Sequence, residues 1–322
     1  MDIFYPIQLL ADWLTYSVFS IAQGTLLAGA VNFFIFDTTK IFLLLFVIIF
    51  AVSIIRSFLP KERIRDILSH EKKYVGNILA SLLGIITPFC SCSAVPLFMG
   101  FVQAGVPLGT TFSFLVASPM INEVALVLLL GMFGWKIALI YIISGLLIAI
   151  FSGIIIEEMN VRSLVKEFAL SGNATDRNLP EPNWKGRIRY AESYASNIIR
   201  KVWLYVAVGV GLGAWIHGYV PTDFLAQYAG SDKWYAVPVA VLIGVPLYSN
   251  AAGVIPLVSA LTEKGVAMGT ALAFMMAITA LSLPEFMILK KVMKSKLILI
   301  FAGIVGAGII FTGYLFNMIL AK

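Results

Sequence analysis

Residues 84–96 read Gly-Ile-Ile-Thr-Pro-Phe-Cys-Ser-Cys-Ser-Ala-Val-Pro. The stretch holds both cysteines of the chain, Cys90 and Cys92, and sets two prolines, Pro88 and Pro96, inside strongly apolar sequence. Proline removes a backbone donor and breaks helices. In a bilayer, backbone groups freed in this way are tolerated only where protein or a water-lined cavity satisfies them. The stretch therefore reads as an unwound hinge deep in a membrane protein, carrying two soft sulfur ligands.

Composition supports that setting. Of 322 residues, 60% are hydrophobic and only 12% charged, and the mean hydropathy is +0.94. Such a chain is a polytopic membrane protein, not a soluble domain. The net charge of +6 is not a nucleic-acid footprint, because the basic residues fall in short segments between apolar runs, as in cytoplasmic loops. Two cysteines, two residues apart, give no disulfide framework. Met1, Asp2, Ile3 and Phe4 lack a basic region and a cleavage site, so the first apolar segment is expected to stay in place.

Taken in order, an amphipathic start at 7–16 leads to a first span at 17–36, a turn from Asp37 to Lys40, and a purely apolar second span at 41–55. Arg56, Lys61, Arg63, Arg65, Lys72 and Lys73 then mark a cytoplasmic loop. The apolar run 74–87 is only roughly 21 Å long as a helix, short of the ~20 residues that a bilayer core requires. The run 94–103 is shorter still, so the two read as a re-entrant hairpin or one broken span. A longer run, 106–132, is interrupted at 117–123, and a full span follows at 135–156. The hydrophilic segment 157–201 is again basic and cytoplasmic, and its part 184–199 suits an interfacial amphipathic helix. Beyond it come a span at 202–216, a loop of low positive charge at 217–233, two short segments at 235–247 and 251–261, and a run at 267–289 interrupted at 281–285. Lys290, Lys291, Lys294 and Lys296 form the last basic loop before the final span, 297–320. The count is seven full spans and two hairpins, with the N-terminus cytoplasmic.

Shifted by about 160 residues, the sequence meets itself. Gly84 meets Gly244, Pro96 meets Pro256, Gly105 meets Gly265, Gly109 and Thr110 meet Gly269 and Thr270, and Phe114 meets Phe274. Glu123 meets Glu285 with a further shift of two. The basic loop precedes the hairpin in the first half and follows it in the second, so the halves are expected to cross the membrane in opposite senses. Inverted-topology repeats are the architecture of many secondary transporters, with the site at the midplane between discontinuous helices.

The residues that can carry chemistry gather at the hinges. Cys90 and Cys92 would turn towards one cavity if their segment is unwound, and thiolates suit soft metals and metalloids. The bland alternative is a pair of small residues in a tight hinge. The matching positions, Asn250 and Ala252, show that such a hinge can be built without sulfur, which favours a functional role. Ser91, Ser93, Ser249 and Asn250 stand where the second half-helices begin, as caps or as substrate contacts beside exposed N–H groups. Pro88 and Tyr248 would line the same cavity. Glu123 and Glu285 are intramembrane carboxylates, which usually mark an ion or proton path; the alternative is a neutral, hydrogen-bonded acid at a helix break.

These elements resemble a known family. The Cys-Ser-Cys-Ser element within 84–96, the Gly-Val-Pro-Leu-Gly run at 105–109, Phe-Leu-Val-Ala-Ser-Pro at 114–119 and Pro-Leu-Tyr-Ser-Asn at 246–250 are similar to the prokaryotic predicted-permease family that includes ArsP. The resemblance implies a plasma-membrane permease. ArsP members export trivalent organoarsenicals such as methylarsenite, and carried over to this chain, the arsenic contact would fall on Cys90 and Cys92.

The sequence thus predicts an all-α polytopic membrane protein of two inverted-topology repeats with broken or re-entrant helical hairpins. Its divisions would be an N-terminal transmembrane helix at 1–39, a first repeat at 40–157, a cytoplasmic linker at 158–199 and a second repeat at 200–322. The expected activity is secondary-active export by alternating access, with substrate contacts at Cys90, Cys92, Ser91, Ser93, Pro88, Tyr248 and Asn250 and proton coupling at Glu123 and Glu285. The expected partners are the lipid bilayer and a small-molecule substrate, with no nucleic acid, no enzyme activity, no cofactor and no resident metal. The rival is a transmembrane thiol-disulfide electron carrier using Cys90 and Cys92. It would be expected to place one cysteine in each repeat, whereas both lie in the first.

Overall fold

The computed structural model describes residues 4–58, 74–87, 91–121, 123–166, 184–219, 233–247, 254, 257–259, 261–262 and 264–320. Among these the protein is helical. No strand forms, and one isolated bridge pairs Val165 with Met293. Among the described residues three helices are long and apolar enough to cross a bilayer, or up to five if each of two bent pairs is one span.

The chain opens with α1 (Tyr5–Asp12), which passes into a π-helical turn (Trp13–Val18). Helix α2 (Leu26–Phe58) follows as one unbroken rod of 33 residues. This corrects the expected turn from Asp37 to Lys40 and the two separate spans around it. That polar tetrad has no Gly or Pro to stop a helix. Asp37 is buried at 7% exposure, and the Lys40 ammonium lies over the Phe4 and Phe36 rings at 4.7 and 5.3 Å, a cation–π arrangement that shelters the charge. Gln8 and Asn32 both donate to Asp12 Oδ1, at 2.9 and 2.8 Å, which ties α1 to the first turns of α2.

Next come α3 (Val75–Ile86), α4 (Ser91–Gln103), α5 (Leu108–Met120), α6 (Glu123–Phe133) and α7 (Trp135–Glu158). All thirteen residues of α5 are buried, as a helix apolar on every face requires. Packed against α3, α4 and α7, it is the core of the first half. It ends at Pro119 and Met120, and the pair α5 and α6 bends by 49°. The carbonyl left free at Met120 accepts the hydroxyl of buried Tyr141 at 2.6 Å, which answers the orphan-acceptor problem of a helix end.

Helix α8 (Trp184–Tyr219) is a single helix of 36 residues. It merges the expected interfacial segment 184–199 with the span 202–216, since no Pro intervenes at 200–202. It lies along α2, with Gly211 against the Phe34 ring. The second half continues with α9 (Ala236–Gly244), α10 (Met268–Ala280), α11 (Leu283–Val292) and α12 (Ser295–Leu320). The pair α10 and α11 bends by 42°. Helix α10 packs on α9 and α12 as α5 packs on α3 and α7, and the halves meet through α5 on α10, α7 on α12 and α2 on α8.

Glycine contacts recur at a fixed offset, 244 − 84 = 160. A Cβ on Gly84 would lie 2.9 Å from Ala117 Cβ and 3.2 Å from Phe114 O; on Gly244 it would lie 3.0 Å from Ala277 Cβ and 3.2 Å from Phe274 O. A Cβ on Gly109 would meet Gly153 O at 2.4 Å, and one on Gly269 would meet Gly313 O at 2.3 Å. In both halves the backbones of two helices touch, which only glycine allows. Gly105 and Gly265 also share positive φ, +82° and +85°, in the turns that open α5 and α10.

Side-chain and backbone contacts sort the helix ends into two faces. Tyr74, before α3, donates to Glu158 at the end of α7 at 3.2 Å. The Val165–Met293 bridge joins the segment after α7 to the one before α12. The starts of α3 and α12 and the end of α7 therefore share a face with three basic segments. At the far end of α12, the Tyr314 hydroxyl donates to the Trp234 carbonyl just before α9. Tyr314 is nineteen residues beyond Ser295, or about 29 Å along the axis.

Candidate functional site

Most of the expected site residues lie at the hinges. Pro88, Cys90, Tyr248, Ser249 and Asn250 fall outside the described residues, as do the side chains of Ser91, Cys92, Ser93 and Glu123. What the backbone gives is their framework. Helix α3 ends at Ile86, where the Thr87 hydroxyl donates back to Leu83 O at 2.8 Å and to Gly84 O at 3.1 Å. Helix α4 begins at Ser91, three residues earlier than the apolar run suggested. Ser91, Cys92 and Ser93 thus form its first turn, a correction to the reading of the whole of 88–93 as unwound. Serine is a frequent choice where a helix starts, and Pro88 restricts the residue before it.

Glu123 and Glu285 occupy like places. Glu123 is the first residue of α6, and Glu285 stands in the first turn of α11. Each follows the bend of its pair, not the end of a continuous helix. Glu285 is 0% exposed. The Leu283 amide donates to the Val245 carbonyl at 2.9 Å, so the start of α11 is fastened to the end of α9, three residues before Tyr248. Helix α11 also packs against α4. The structure therefore brings the helix of Glu285 against both the end of α9 and the helix that carries Cys92.

Sequence reasoning missed Ser282. It is the N-cap of α11 but makes no capping bond through its hydroxyl; it is 1% exposed, and its Oγ has no partner among the described residues. A buried hydroxyl without a partner is costly, and this one sits three residues from Glu285. The Ser-Leu-Pro-Glu spacing of a capping box was the available signal. Tyr141 was also missed, because its role depends on a carbonyl 21 residues away.

Other polar contacts serve the framework. Asn77 donates to Ser113 at 3.0 Å between α3 and α5, and the Gly109 amide donates to Glu157 Oε2 at 2.5 Å, which places a carboxylate at the N-terminus of α5, as the helix dipole favours. At the matching place in the second half, Asn317 donates to Thr270 at 3.2 Å. A separate cavity of about 120 Å³, bordered by Val102, Pro107, Glu157, Asn160 and Arg162, lies at the basic face and includes none of the expected site residues. Among the described residues no three His, Cys, Asp or Glu side chains gather as metal ligands would.

The model of one protein family, described as predicted permease, matches residues 26–318 of this chain. The chain belongs to the ArsP_1 family of predicted permeases. The match takes in both bent pairs and every helix from α2 to α12. Relatives come from archaea and bacteria. UPF0718 protein MJ0584 of Methanocaldococcus jannaschii is 23% identical over 78% of this chain and 84% of its own length. A Streptococcus mutans protein, whose name makes it one subunit of a proposed two-component membrane permease complex, is 28% identical over 78% of this chain and 79% of its own. UPF0718 protein YraQ of Escherichia coli is 22% identical over 76% and 68%. No solved structure matches. Membership in this family of predicted permeases agrees with the apolar, span-length helices of the fold.

Proposed function

We propose that this permease is a secondary-active carrier built from two inverted-topology repeats, working by alternating access in a prokaryotic plasma membrane. One observation carries the reading. Gly84 and Gly244 make the same contacts 160 residues apart, yet α3 starts at the face of Glu158 and α9 at the face of Tyr314. Equivalent helices that enter from opposite faces are related by an axis in the membrane plane. The bends of 49° and 42° at corresponding places support broken helices, and the short α3 and α4 on either side of 88–90 support a re-entrant hairpin. In this reading the repeats follow the divisions at 40–157 and 200–322, with 158–199 as cytoplasmic linker.

The substrate site is the space between the two hinges, bordered by Cys90, Cys92, Ser91, Ser93, Pro88, Tyr248 and Asn250. Its cargo is a soft, thiol-reactive small molecule of the trivalent organoarsenical class, which sulfur ligands suit. Glu123 and Glu285 load and release the coupling proton. The test is flux in everted vesicles with methylarsenite, inorganic arsenite and an unrelated solute compared. Uptake of methylarsenite above the other two supports the cargo, and equal flux of all three contradicts it. In the same vesicles Glu285→Gln is expected to lower pH-gradient-driven uptake about tenfold while leaving exchange of cargo down its own gradient; a variant that keeps full gradient dependence would refute the proton role.

A further inference from the structure

Loops at the edge of a helical membrane protein seldom pair as strands do. Here Lys166 donates its amide to Val292 O and Lys294 donates its amide to Leu164 O, each at 2.9 Å. The Lys166 ammonium donates to the Lys290 carbonyl at 2.5 Å. Between these bonds Val165 and Met293 face each other and are only 3% and 0% exposed. The first partner is the 3-10 turn (Val161–Leu164) and the residues after it, at the start of the linker and three residues beyond α7 of the first half; the second is the connection from α11 to α12, in the second half. Three hydrogen bonds and two buried side chains thus join the halves on the basic face.

We propose that this clasp is the cytoplasmic latch of the carrier, closed in this structure and parted once in each transport cycle. The inference rests on the rocking-carrier reading above. Two bodies that rock about the midplane separate most at their outer faces, and hydrogen bonds do not survive stretching much beyond ~3.5 Å. The latch residues lie outside α5 and α10, the buried central helices of the two halves. Its lysines also lie among the basic segments that mark the cytoplasmic side.

The flanking bonds make Val165 and Met293 a non-hydrogen-bonded antiparallel pair, whose Cα atoms lie about 4.5 Å apart, within disulfide range. The test uses the Val165→Cys/Met293→Cys double variant, oxidised in everted vesicles with copper–phenanthroline, with oxidised wild type as control. Oxidation is expected to lower methylarsenite uptake at least tenfold and dithiothreitol to restore it. Uptake at the wild-type rate with the cross-link formed overturns the latch and leaves the carrier reading standing. Because that readout needs the right cargo, tryptic cleavage after Lys294 is followed without cargo. It should fall in the oxidised double variant and rise severalfold in Lys166→Pro, which removes both donors of that residue. Equal cleavage in all forms overturns the latch whatever the vesicles transport.

Discussion

Gly153→Ala is expected to remove most of the folded protein. A Cβ there would lie 2.0 Å from Ser113 Oγ, 2.4 Å from the Gly109 carbonyl and 2.7 Å from Asn77 Nδ2. Two of these atoms belong to the buried Asn77–Ser113 bond, and the third is backbone, so none can give way cheaply. Overpacking a close helix contact costs typically 1–3 kcal/mol, and this triple clash belongs at or above the upper end, about 3 kcal/mol. Gly313→Ala should behave alike, since its Cβ would meet Val237 at 2.6 Å and Ala273 at 2.8 Å. Gly303→Ala is the control, because nothing lies within 4 Å of its Cβ; there alanine should be neutral or better by about 0.5–1 kcal/mol. The measurement is the monodisperse fraction and melting temperature after detergent extraction. Equal values for Gly153→Ala and Gly303→Ala would contradict the close crossing of α5 and α7.

Under the proposed function, Cys90→Ser and Cys92→Ser should each cut methylarsenite flux at least tenfold, equivalent to about 1.4 kcal/mol of lost transition-state binding. Serine is close to cysteine in size and is itself a favoured residue at a helix start, and the second hinge is built with Asn250 and Ala252 in these places. The folded fraction should therefore stay at the wild-type level. Flux unchanged in both variants would sink the sulfur contact. Lost folding in both would return the cysteines to a packing role.

The glycines were the most legible part of the sequence. Gly84, Gly109, Gly244 and Gly269 record backbone contacts between helices, so their spacing carries tertiary information in the primary chain. The interruptions at 117–123 and 281–285 marked the bends for a similar reason, since Pro119 stands one residue before the end of α5 and Pro284 in the first turn of α11, where proline is tolerated. Charge alone misled at Asp37 and Lys40, because a polar tetrad without Gly or Pro remains compatible with a helix when tertiary partners cover it. Nothing local marks the Val165–Met293 bridge, whose partners are 128 residues apart. Ser282 lay in view beside Glu285, but its burial depends on the packing of α11.

The opposed sense of the two halves is tested most directly by side-specific labelling. With Cys90 and Cys92 replaced by serine, Ser163→Cys and Ser231→Cys are introduced separately and treated with a membrane-impermeant maleimide in intact cells and in everted vesicles. Ser163 is exposed beside the latch, and Ser231 precedes α9. The account predicts that the cysteine at 231 is labelled in intact cells and the one at 163 only in everted vesicles. Labelling of both from the same side would contradict the inverted arrangement.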